Sequence, residues 1–374
     1  MKKKFQEYKG LESYLSLRML VQIIFCLVIV STGIKFYFFV SQLETGIIPD
    51  FERPPGVEAF LPISALVSLK HLLLTGTINS VHPSALVLFL IICLTAFIVK
   101  KGFCSWVCPL GLLSDCLAKL HFNIFKKNVG LPVPVDLLLR SIKYVLAGFF
   151  IWNIFYKMPL NSIEQFIQSP YNRFADIKML KFFINISNTS LIVILVLIFL
   201  SFIIPYFWCR YLCPYGAILG ILSFFSIGKI KRNPSYCIDC GICEKKCPGL
   251  IKIRQKELIH SSECTTCMRC IKHCPEKRSI GFFIFSDKIR VEQLTIALVM
   301  ILIFVVGISI AKISGNWRNK ISKTQYLGYI FQNNMSWNKN GRIDPEMMEK
   351  MIKIMKNIQA QKVQLDSQRK DPEP

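Results

Sequence analysis

The chain has 374 residues, a formal net charge of +23 and an apolar fraction of 52%. Such high apolarity excludes an intrinsically disordered chain, and with this charge it is typical of a membrane protein whose soluble parts carry the lysines. The basic residues are spread between apolar segments rather than gathered on one aromatic-rich module. We therefore expect a lipid membrane as a partner and no nucleic acid.

Five apolar segments are candidates to cross a bilayer, which takes about 20 residues of helix. They cover residues 19–40, 82–100, 141–157, 190–207 and 292–311, of which the second and third are short. The basic N-terminus leads into a long apolar run without a small-residue cleavage site, which predicts an anchor rather than a cleaved signal peptide. The sequence thus predicts a mainly α, polytopic membrane helix bundle of about five spans.

Lysine and arginine mark the loops expected on the cytoplasmic side of a bacterial inner membrane. They are frequent at the N-terminus, in residues 100–143 and in residues 210–290, whereas the loop between the first two spans carries only Arg53 and Lys70. The N-terminus and the cysteine-rich segments are therefore predicted to be cytoplasmic. With five spans, the C-terminal tail, residues 312–374, lies in the periplasm.

Within that tail, Asp344 is a good N-cap for a predicted helix. Methionines recur on one side of this helix, and we interpret them as docked apolar surface. A copper site or a promiscuous partner surface is the alternative.

An internal repeat is present in FCSWVCPLGLL (103–113) and WCRYLCPYGAIL (208–219). Each copy follows a predicted span and contains two cysteines four residues apart, which share one face if the segment is helical. Pro109 and Pro214 are expected to end or kink each helix just past the second thiol.

The two copies are separated by two predicted spans, so both cysteine pairs are expected at the same membrane face. Four thiolates brought together suit iron–sulfur or zinc, and we predict an additional redox or metal centre there. A disulfide and buried, inert thiols are the alternatives. The four residues are Cys104, Cys108, Cys209 and Cys213.

Two further segments, CIDCGICEKKCP (237–248) and CTTCMRCIKHCP (264–275), match the bacterial 4Fe-4S signature. Three cysteines at two-residue intervals wrap one cubane, and the fourth cysteine, which precedes a proline, reaches the other cubane. Zinc ribbons also use Cys-x-x-Cys pairs, but two complete signatures with both prolines favour two 4Fe-4S clusters. We predict an inserted α+β domain like a two-cluster bacterial ferredoxin.

The crossed pattern assigns each cysteine to a cluster. Gly241 is expected to let the first loop bend closely around its cube. Cluster 1 takes Cys237, Cys240, Cys243 and Cys274, and cluster 2 takes Cys264, Cys267, Cys270 and Cys247.

The first external loop, residues 51–76, is unusually apolar for an exposed connection and is expected to lie in or dip into the membrane. Quinol oxidation needs a proton acceptor beside an apolar slot. Glu58, His71 and His82 are the candidates for such a quinone site. The alternative is that they are interfacial anchors and helix caps.

These observations predict five consecutive parts. They are a cytoplasmic N-terminus (1–18), a four-helix membrane domain with both repeats (19–228), a cytoplasmic ferredoxin domain (229–290), a fifth membrane helix (291–311) and the tail (312–374).

Over roughly residues 20–290 the chain resembles the membrane polyferredoxins of the NapH, NosR and CcoG group, and its layout is closest to the NapH-type quinol dehydrogenase subunit. The resemblance rests on FCSWVCPLG, WCRYLCPYGA and the two four-cysteine signatures. It implies an electron-transfer subunit that relays electrons between the quinone pool, or a cytoplasmic donor, and a respiratory or periplasmic redox partner.

Two other functions remain open. One is a metal-handling assembly factor, for example a copper-reducing one, and the other is a redox-sensing membrane protein. The sequence has no Cys-x-x-Cys-His haem motif, and its N-terminal region is too short for the flavin domain of the NosR branch. A separate redox partner protein outside the membrane is therefore expected.

Overall fold

A computed structural model of the chain describes residues 16–126, 130–285, 289–334 and 352. The helices are α1 (Leu17–Glu44), α2 (Pro62–Thr75), α3 (Pro83–Val99), α4 (Gly102–Trp106), α5 (Pro109–Phe125), α6 (Val133–Trp152), α7 (Leu160–Gln168), α8 (Pro170–Arg173), α9 (Ala175–Ile184), α10 (Asn188–Ile203), α11 (Pro214–Leu222), α12 (Ile242–Lys245), α13 (Arg269–Lys272), α14 (Gln293–Ile313) and α15 (Lys323–Asn334). The strands are β1 (Gly228–Arg232), β2 (Ile280–Ile284) and β3 (Ile289–Val291).

The chain divides into two compact units. Their boundaries fall inside α1, α3 and α14, so each unit combines segments that are distant in sequence. All the cysteines of the repeats and of the two signatures belong to unit 1. Unit 1 comprises Met1–Val28, Leu88–Asn153 and Asn188–Ile310, and unit 2 comprises Ile29–Val87, Ile154–Ser187 and Ala311–Pro374.

Three helical segments are long and apolar enough to cross a membrane: α1, α14, and α6 with the π turn that extends it to Lys157. Helices α9 and α10 make a fourth candidate if they are counted as one span, although they are bent by 81° at the break between them. Helix α3, on the second predicted span, has only 17 residues. The described residues therefore form a mostly helical protein with three or four candidate spans, and the predicted count of five is not confirmed.

The three strands form an antiparallel sheet in the order β1-β2-β3 within unit 1. Strand β1 precedes the first cysteine signature and β2 follows the second, and the register pairs Arg232 with Ile280. One residue further on, the N–H of Asn233 donates to the carbonyl of Ser279 at 2.7 Å. This pairing brings the start of the first signature beside the end of the second, as crossed cluster ligation requires.

Strand β1 is attached to the end of α3 by a close backbone approach at Gly228. The N–H of Ile227 donates to the carbonyl of Phe97 at 2.9 Å. A Cβ on Gly228 would lie 2.6 Å from the Ile98 carbonyl oxygen, so only glycine fits without moving the backbone. The sheet is therefore fixed to α3 within unit 1.

Unit 2 has an apolar core to which α1, α9 and α15 contribute. Phe174 stacks on Tyr329 with ring centroids 4.0 Å apart, and Phe39 meets Tyr326 edge-on at 5.8 Å. The start of the predicted tail thus packs into this unit through α15. The methionine-lined helix predicted from Asp344 lies outside the described residues.

A buried network of four charged side chains also lies in unit 2, and each is at most 6% exposed. Arg53 donates to both carboxylates, from Nη1 to Glu58 Oε1 at 2.8 Å and from Nε to Asp176 Oδ2 at 2.6 Å. Tyr326 donates to the same Asp176 oxygen at 3.2 Å. The fourth member is His82, whose Nδ1 lies 3.3 Å from Glu58 Oε1.

The network is electrically neutral when His82 carries two ring protons. His82 Nε2 lies 2.6 Å from the carbonyl oxygen of Asn172, and Nδ1 faces the Glu58 carboxylate. Neither oxygen can donate, so Nε2 donates to the carbonyl, and a proton on Nδ1 forms an ion pair with the carboxylate. Burial lowers the pKa of His82, but its hydrogen bond and ion pair with Glu58 outweigh burial and raise the pKa above the ordinary value. Two cations then face two carboxylates, the arrangement that buried charges require.

Removing one carboxylate should destabilise unit 2 strongly. Glu58→Gln leaves two buried cations facing one carboxylate, and we expect a loss of about 3–5 kcal/mol in the free energy of unfolding. Thermal unfolding of the purified protein in detergent measures the loss. Glu52→Gln, on an exposed side chain, is the matched control. Equal melting temperatures for the two variants would contradict the network's role.

The same network predicts a pH dependence. The raised pKa of His82 means that its contribution to stability is complete below the ordinary histidine pKa of 6.5 and is lost as the pH rises through the folded-state value. His82→Gln should remove this alkaline loss of stability while lowering stability at pH 6. Melting temperatures recorded from pH 5 to pH 9 test this, with exposed His260→Gln as the control. An unchanged slope in His82→Gln would contradict it.

Candidate metal centres

The two four-cysteine signatures form two neighbouring cavities in unit 1. The first, of about 360 Å³, is lined by Cys237, Cys240, Cys243 and Cys274. The second, of about 370 Å³, is lined by Cys247, Cys264, Cys267 and Cys270. Each cavity takes three cysteines from one signature and the fourth from the other, which is the crossed set that the spacing predicts.

Both loops reach this geometry by the same backbone conformation. The residues two and four positions after the first cysteine have positive φ angles in each loop: Asp239 (50°) and Gly241 (70°), and Thr266 (52°) and Met268 (60°). Glycine tolerates this region freely, as expected for Gly241. Met268 takes the equivalent position in the second loop without that freedom, at a cost of about 1–2 kcal/mol.

The donor set of each cavity, four cysteines and no histidine, fits a cubane. A zinc ribbon requires four ligands on one ion. A 4Fe-4S cluster instead distributes four thiolates over four iron atoms, so its ligands line a cavity, as they do here.

The two cavities differ in exposure. Cys247, Cys264 and Cys270 are 8% exposed or less, and burial raises the pKa of the Cys247 thiol to about 12. At Cys237 burial acts in the same direction, but hydrogen bonds from the Asp239 backbone and from side chains nearby outweigh it and lower the pKa. The cluster 1 site is therefore the more open of the two.

The four cysteines of the repeats lie together in a third group, which we call the inner cysteines. Burial raises the pKa of Cys104 to about 11 and of Cys209 to about 12. Charge on Cys213 raises the pKa of Cys104, and charge on Cys104 raises the pKa of Cys209, so the two repeats contribute to one site. With pKa values raised this far, Cys104 and Cys209 are neutral near pH 7 without a bound cation, and a metal would displace their protons.

Neither inner pair lies on one continuous helix, so the condition for a shared helix face is not met. Cys104 is in α4, but Cys108 is the N-cap of α5, and Pro109 is the first residue of α5 rather than a residue that ends a helix. Likewise Cys209 is in a π turn and Cys213 is the N-cap of α11. Proline suits the first helical turn because its missing N–H has no intrahelical partner there.

The break between the two cysteines of each repeat also explains the glycine that follows it. A Cβ on Gly111 would lie 1.9 Å from the Cys104 carbonyl oxygen, whereas a Cβ on Gly216 would lie 3.4 Å from the Cys209 carbonyl oxygen. The Gly216 N–H also donates to Cys213 Sγ at 3.3 Å. Close packing of the helix start against the first cysteine therefore requires glycine in the first repeat and is looser in the second.

Both repeats donate hydrogen bonds to the loops that form the cluster 2 site. In the first repeat, Ser105 Oγ donates to Thr265 O at 2.6 Å and Trp106 Nε1 donates to Thr266 O at 3.1 Å. In the second, Arg210 Nη1 donates to Gly249 O at 2.7 Å. The inner cysteines and the cluster 2 site are thus joined through backbone carbonyls on both sides.

Buried cations surround the same junction. Lys101 and Lys143 both pair with Glu263, the residue before Cys264. Lys100 donates to the carbonyl of Ile259 at 2.7 Å. Buried ammonium groups next to thiolates favour the anionic state of a metal site.

A second ionic contact ties the cluster 2 loop to the start of α5. Asp115 accepts from Arg269 Nη2 at 2.8 Å and also pairs with Arg18. Sequence reasoning identified neither this contact nor the roles of Trp106 and Arg210. The available signal was only that polar or aromatic residues stand between the paired cysteines.

The candidates for a quinone site are only partly brought together. Glu58 and His82 are neighbours in the buried network of unit 2. His71 is separate from that network: its Nδ1 lies 3.1 Å from the carbonyl of Thr77. Burial raises the pKa of Glu58, but Arg53 and His82 outweigh burial and hold it below the ordinary value.

Comparisons with known proteins agree with this arrangement. The family described as "4Fe-4S binding domain" matches residues 81–132 and 189–233, which contain the two repeats. The family described as "4Fe-4S dicluster domain" matches residues 229–275. YccM of Escherichia coli (strain K12), named as an electron transport protein, is 37% identical over 80% of this chain and 85% of its own length.

Lower similarity extends to two other named proteins. The ferredoxin-type protein NapH of Haemophilus influenzae is 27% identical over 52% of this chain and 68% of its own length. The regulatory protein NosR of Pseudomonas aeruginosa is 25% identical over 45% of this chain and 23% of its own length. The chain belongs to the NapH/NosR-type family of membrane polyferredoxins. No solved structure matches it.

Membership explains the two kinds of cysteine motif in one chain. A membrane polyferredoxin is a membrane iron–sulfur electron-transfer protein, and this one carries both the dicluster segment and the paired repeats. The predicted class of function is thereby confirmed.

The glycines of the two repeats give a matched test of the inner site. Gly111→Ala forces the Cys104 backbone to move, and we expect a loss of about 1–3 kcal/mol in the free energy of unfolding. Gly216→Ala meets only ordinary contacts and should cost less. Thermal unfolding compares the two variants, and alkylation of the inner thiols reports the local distortion. A larger effect from Gly216→Ala would contradict the geometry.

Proposed function

We propose that this membrane polyferredoxin carries electrons along three thiolate-bound centres in series: cluster 1, cluster 2 and a further iron–sulfur centre on the inner cysteines. The main support is the set of hydrogen bonds from Ser105, Trp106 and Arg210 to backbone carbonyls of the loops around cluster 2. A 4Fe-4S cluster, when bound, supplies one-electron redox chemistry. The protein supplies the ligands, the spacing and the electrostatic setting.

The order of the centres follows from the contacts within unit 1. Residues of the cluster 2 loops hydrogen-bond to both repeats, whereas the Asp239 carbonyl of the cluster 1 loop accepts from Arg254 of the same segment. The first signature contacts α5 at Lys246, next to the cluster 2 ligand Cys247, where the ammonium lies 4.3 Å from the centroid of the Phe122 ring. Cluster 2 therefore stands between the other two. Buried Lys101 and Lys143 would compensate the negative charge of thiolates at the junction.

Setting and topology form part of the same proposal. We infer that the chain spans a bacterial inner membrane several times, with the ferredoxin-like segment cytoplasmic, because lysine and arginine are concentrated on that side. Helix α3 is about 26 Å long at 1.5 Å per residue, which is at the lower end of what spans a bilayer. If α3 is counted as one span and the bent pair α9 and α10 as another, the total is the predicted five spans.

Quinol and a soluble cytoplasmic carrier are the two proposed electron donors. In the buried network, Glu58 is held as an anion by Arg53, so it is better suited to balance charge than to accept a proton from quinol. Electron paramagnetic resonance of membranes treated with a quinol analogue separates the donors. Cluster signals that appear only with dithionite would argue against direct quinol oxidation.

The inner centre and the crossed assignment can be tested by iron analysis. Three cubanes hold about twelve iron atoms per chain, so the double variant Cys104→Ser, Cys209→Ser should lose about four. Cys93→Ser, on a single cysteine of α3, is the control and should lose none. In electron paramagnetic resonance spectra, Cys237→Ser and Cys274→Ser should both alter the signal of cluster 1. Cys247→Ser and Cys264→Ser should both alter the signal of cluster 2.

Other results would overturn parts of the proposal. Unchanged iron and acid-labile sulfide in the double variant would remove the inner centre, and a loss of one iron atom would replace the cubane there with a single ion. If Cys274→Ser altered the same signal as Cys264→Ser, the crossed assignment would be wrong.

A further inference from the structure

The cluster 1 site is the natural entry point for an external carrier because the cluster 2 site is covered by the chain itself. The loops around cluster 2 are bound by both repeats. By contrast, the cysteines of cluster 1 are partly exposed, and two large apolar side chains beside Cys237 face solvent. Tyr236 is 47% exposed and Ile238 is 64% exposed, and Ile238 lines the cavity itself.

Basic side chains surround these two apolar residues. Arg232 and Arg254 line the cluster 1 cavity. Arg232 Nε donates to the carbonyl of Lys256 at 3.4 Å, which places Lys256 at the same edge. Arg278 is exposed and lies between two residues that line the cavity, Glu276 and Ser279. We call this surface the carrier face: Tyr236 and Ile238 at its centre, with Arg232, Arg254, Lys256 and Arg278 around them.

The carrier face lies in a strongly basic segment. Residues 228–291 contain fourteen Lys and Arg against six Asp and Glu. Each oxidised cubane with its four thiolates adds a charge of about −2, so the segment stays positive with both clusters bound. At the face itself Glu244 pairs with Arg254 at 3.1 Å, so this pair adds no net charge and the excess comes from the other basic side chains. The field at the entry point therefore favours a negatively charged partner.

We propose that the carrier face docks a small soluble one-electron carrier protein with an acidic surface. An apolar centre inside a charged rim is the usual composition of a transient protein interface, and opposite charge steers such partners to fast, short-lived encounters. The exchange is a one-electron step in which the carrier is oxidised and the protein is reduced, and no bond is made or broken. This inference rests on the proposed electron relay and names the partner of its first centre.

Anionic lipid headgroups are the competing ligand for a basic surface near a membrane. The exposed apolar pair beside a cluster ligand favours a protein partner, since lipid headgroups would leave Tyr236 and Ile238 without apolar contact. The experiment treats lipid binding as an outcome that would overturn the proposal.

The test uses the full-length, cluster-loaded protein in nanodiscs of neutral lipid, with an acidic plant-type ferredoxin as the probe. Binding is measured by interferometry over a series of salt concentrations, and electron transfer from the reduced probe is followed by stopped-flow absorbance. The test variant is Lys256→Glu with Arg278→Glu, which touches neither ligands nor buried contacts. The control is Lys119→Glu with Lys126→Glu, which changes the net charge equally at two exposed positions, one in α5 and one just past its end.

We expect binding of the probe to wild type to weaken as salt rises. At low salt the test variant should lose about tenfold in affinity and in the second-order rate constant, and the control should stay within about twofold. Ile238→Ser should weaken binding without changing its salt dependence.

Three results would overturn the proposal. They are equal losses in the test variant and the control, tighter binding of a basic c-type cytochrome than of the ferredoxin, and suppression of ferredoxin binding by nanodiscs of anionic lipid. Reduction of the clusters by dithionite distinguishes a failure of docking from a failure of the electron relay. Clusters that dithionite reduces but the ferredoxin neither binds nor reduces would refute docking alone, whereas an absence of reducible clusters would refute the relay and leave the binding result to decide docking.

Discussion

Backbone carbonyls around the cluster 2 site must be satisfied away from water, and this requirement ties the ferredoxin-like segment to the repeats. A buried carbonyl without a donor costs about 1–3 kcal/mol. The donors come from the residues that stand between paired cysteines: Ser105 and Trp106 in one repeat, Arg210 in the other. The side chains that hydrogen-bond to the cluster 2 loops thus lie on the same short turns as the inner thiols.

Buried lysines at the junction between the inner cysteines and the cluster 2 site outnumber the carboxylates that pair with them. The junction contains buried Lys100, Lys101 and Lys143, but Glu263 is the only carboxylate that pairs with the last two among the residues the structure describes. Buried ammonium groups are unfavourable unless compensated. Thiolates at the inner cysteines and at cluster 2 would provide that compensation, so the lysines favour a metal-loaded protein. The excess of positive charge is easier to explain with anionic centres on both sides than with neutral thiols.

The sequence predicts which cysteines line each cavity much better than it predicts the surroundings of those cavities. Cysteine spacing is a local property, and it was enough to anticipate which residues line each cavity. The contacts between elements were not accessible in this way: Arg53 and Asp176 are 123 positions apart, and their pairing with Glu58 and His82 makes a buried network from residues first interpreted as quinone candidates.

Helix boundaries explain the other differences. Pro109 was expected to end a helix, but the same missing N–H that ends one helix suits the start of the next, and local sequence does not decide between them. The span count differs for a related reason, because an 81° bend between α9 and α10 is a matter of packing rather than of apolar length. Periodicity identifies apolar helices well, but it does not show where they bend.

The two cluster loops show what determines their shared conformation. At the position with φ near 60–70°, the more open loop has Gly241 and the buried loop has Met268. Methionine there costs about 1–2 kcal/mol, so it persists only where other contacts impose the backbone conformation. The second loop has such contacts, because both neighbouring carbonyls in Thr265 and Thr266 are bound and Met268 is 5% exposed. In the first loop the corresponding contact is the longer hydrogen bond from exposed Arg254 Nη1 to the Asp239 carbonyl at 3.5 Å, and Gly241 adopts the same conformation without that cost.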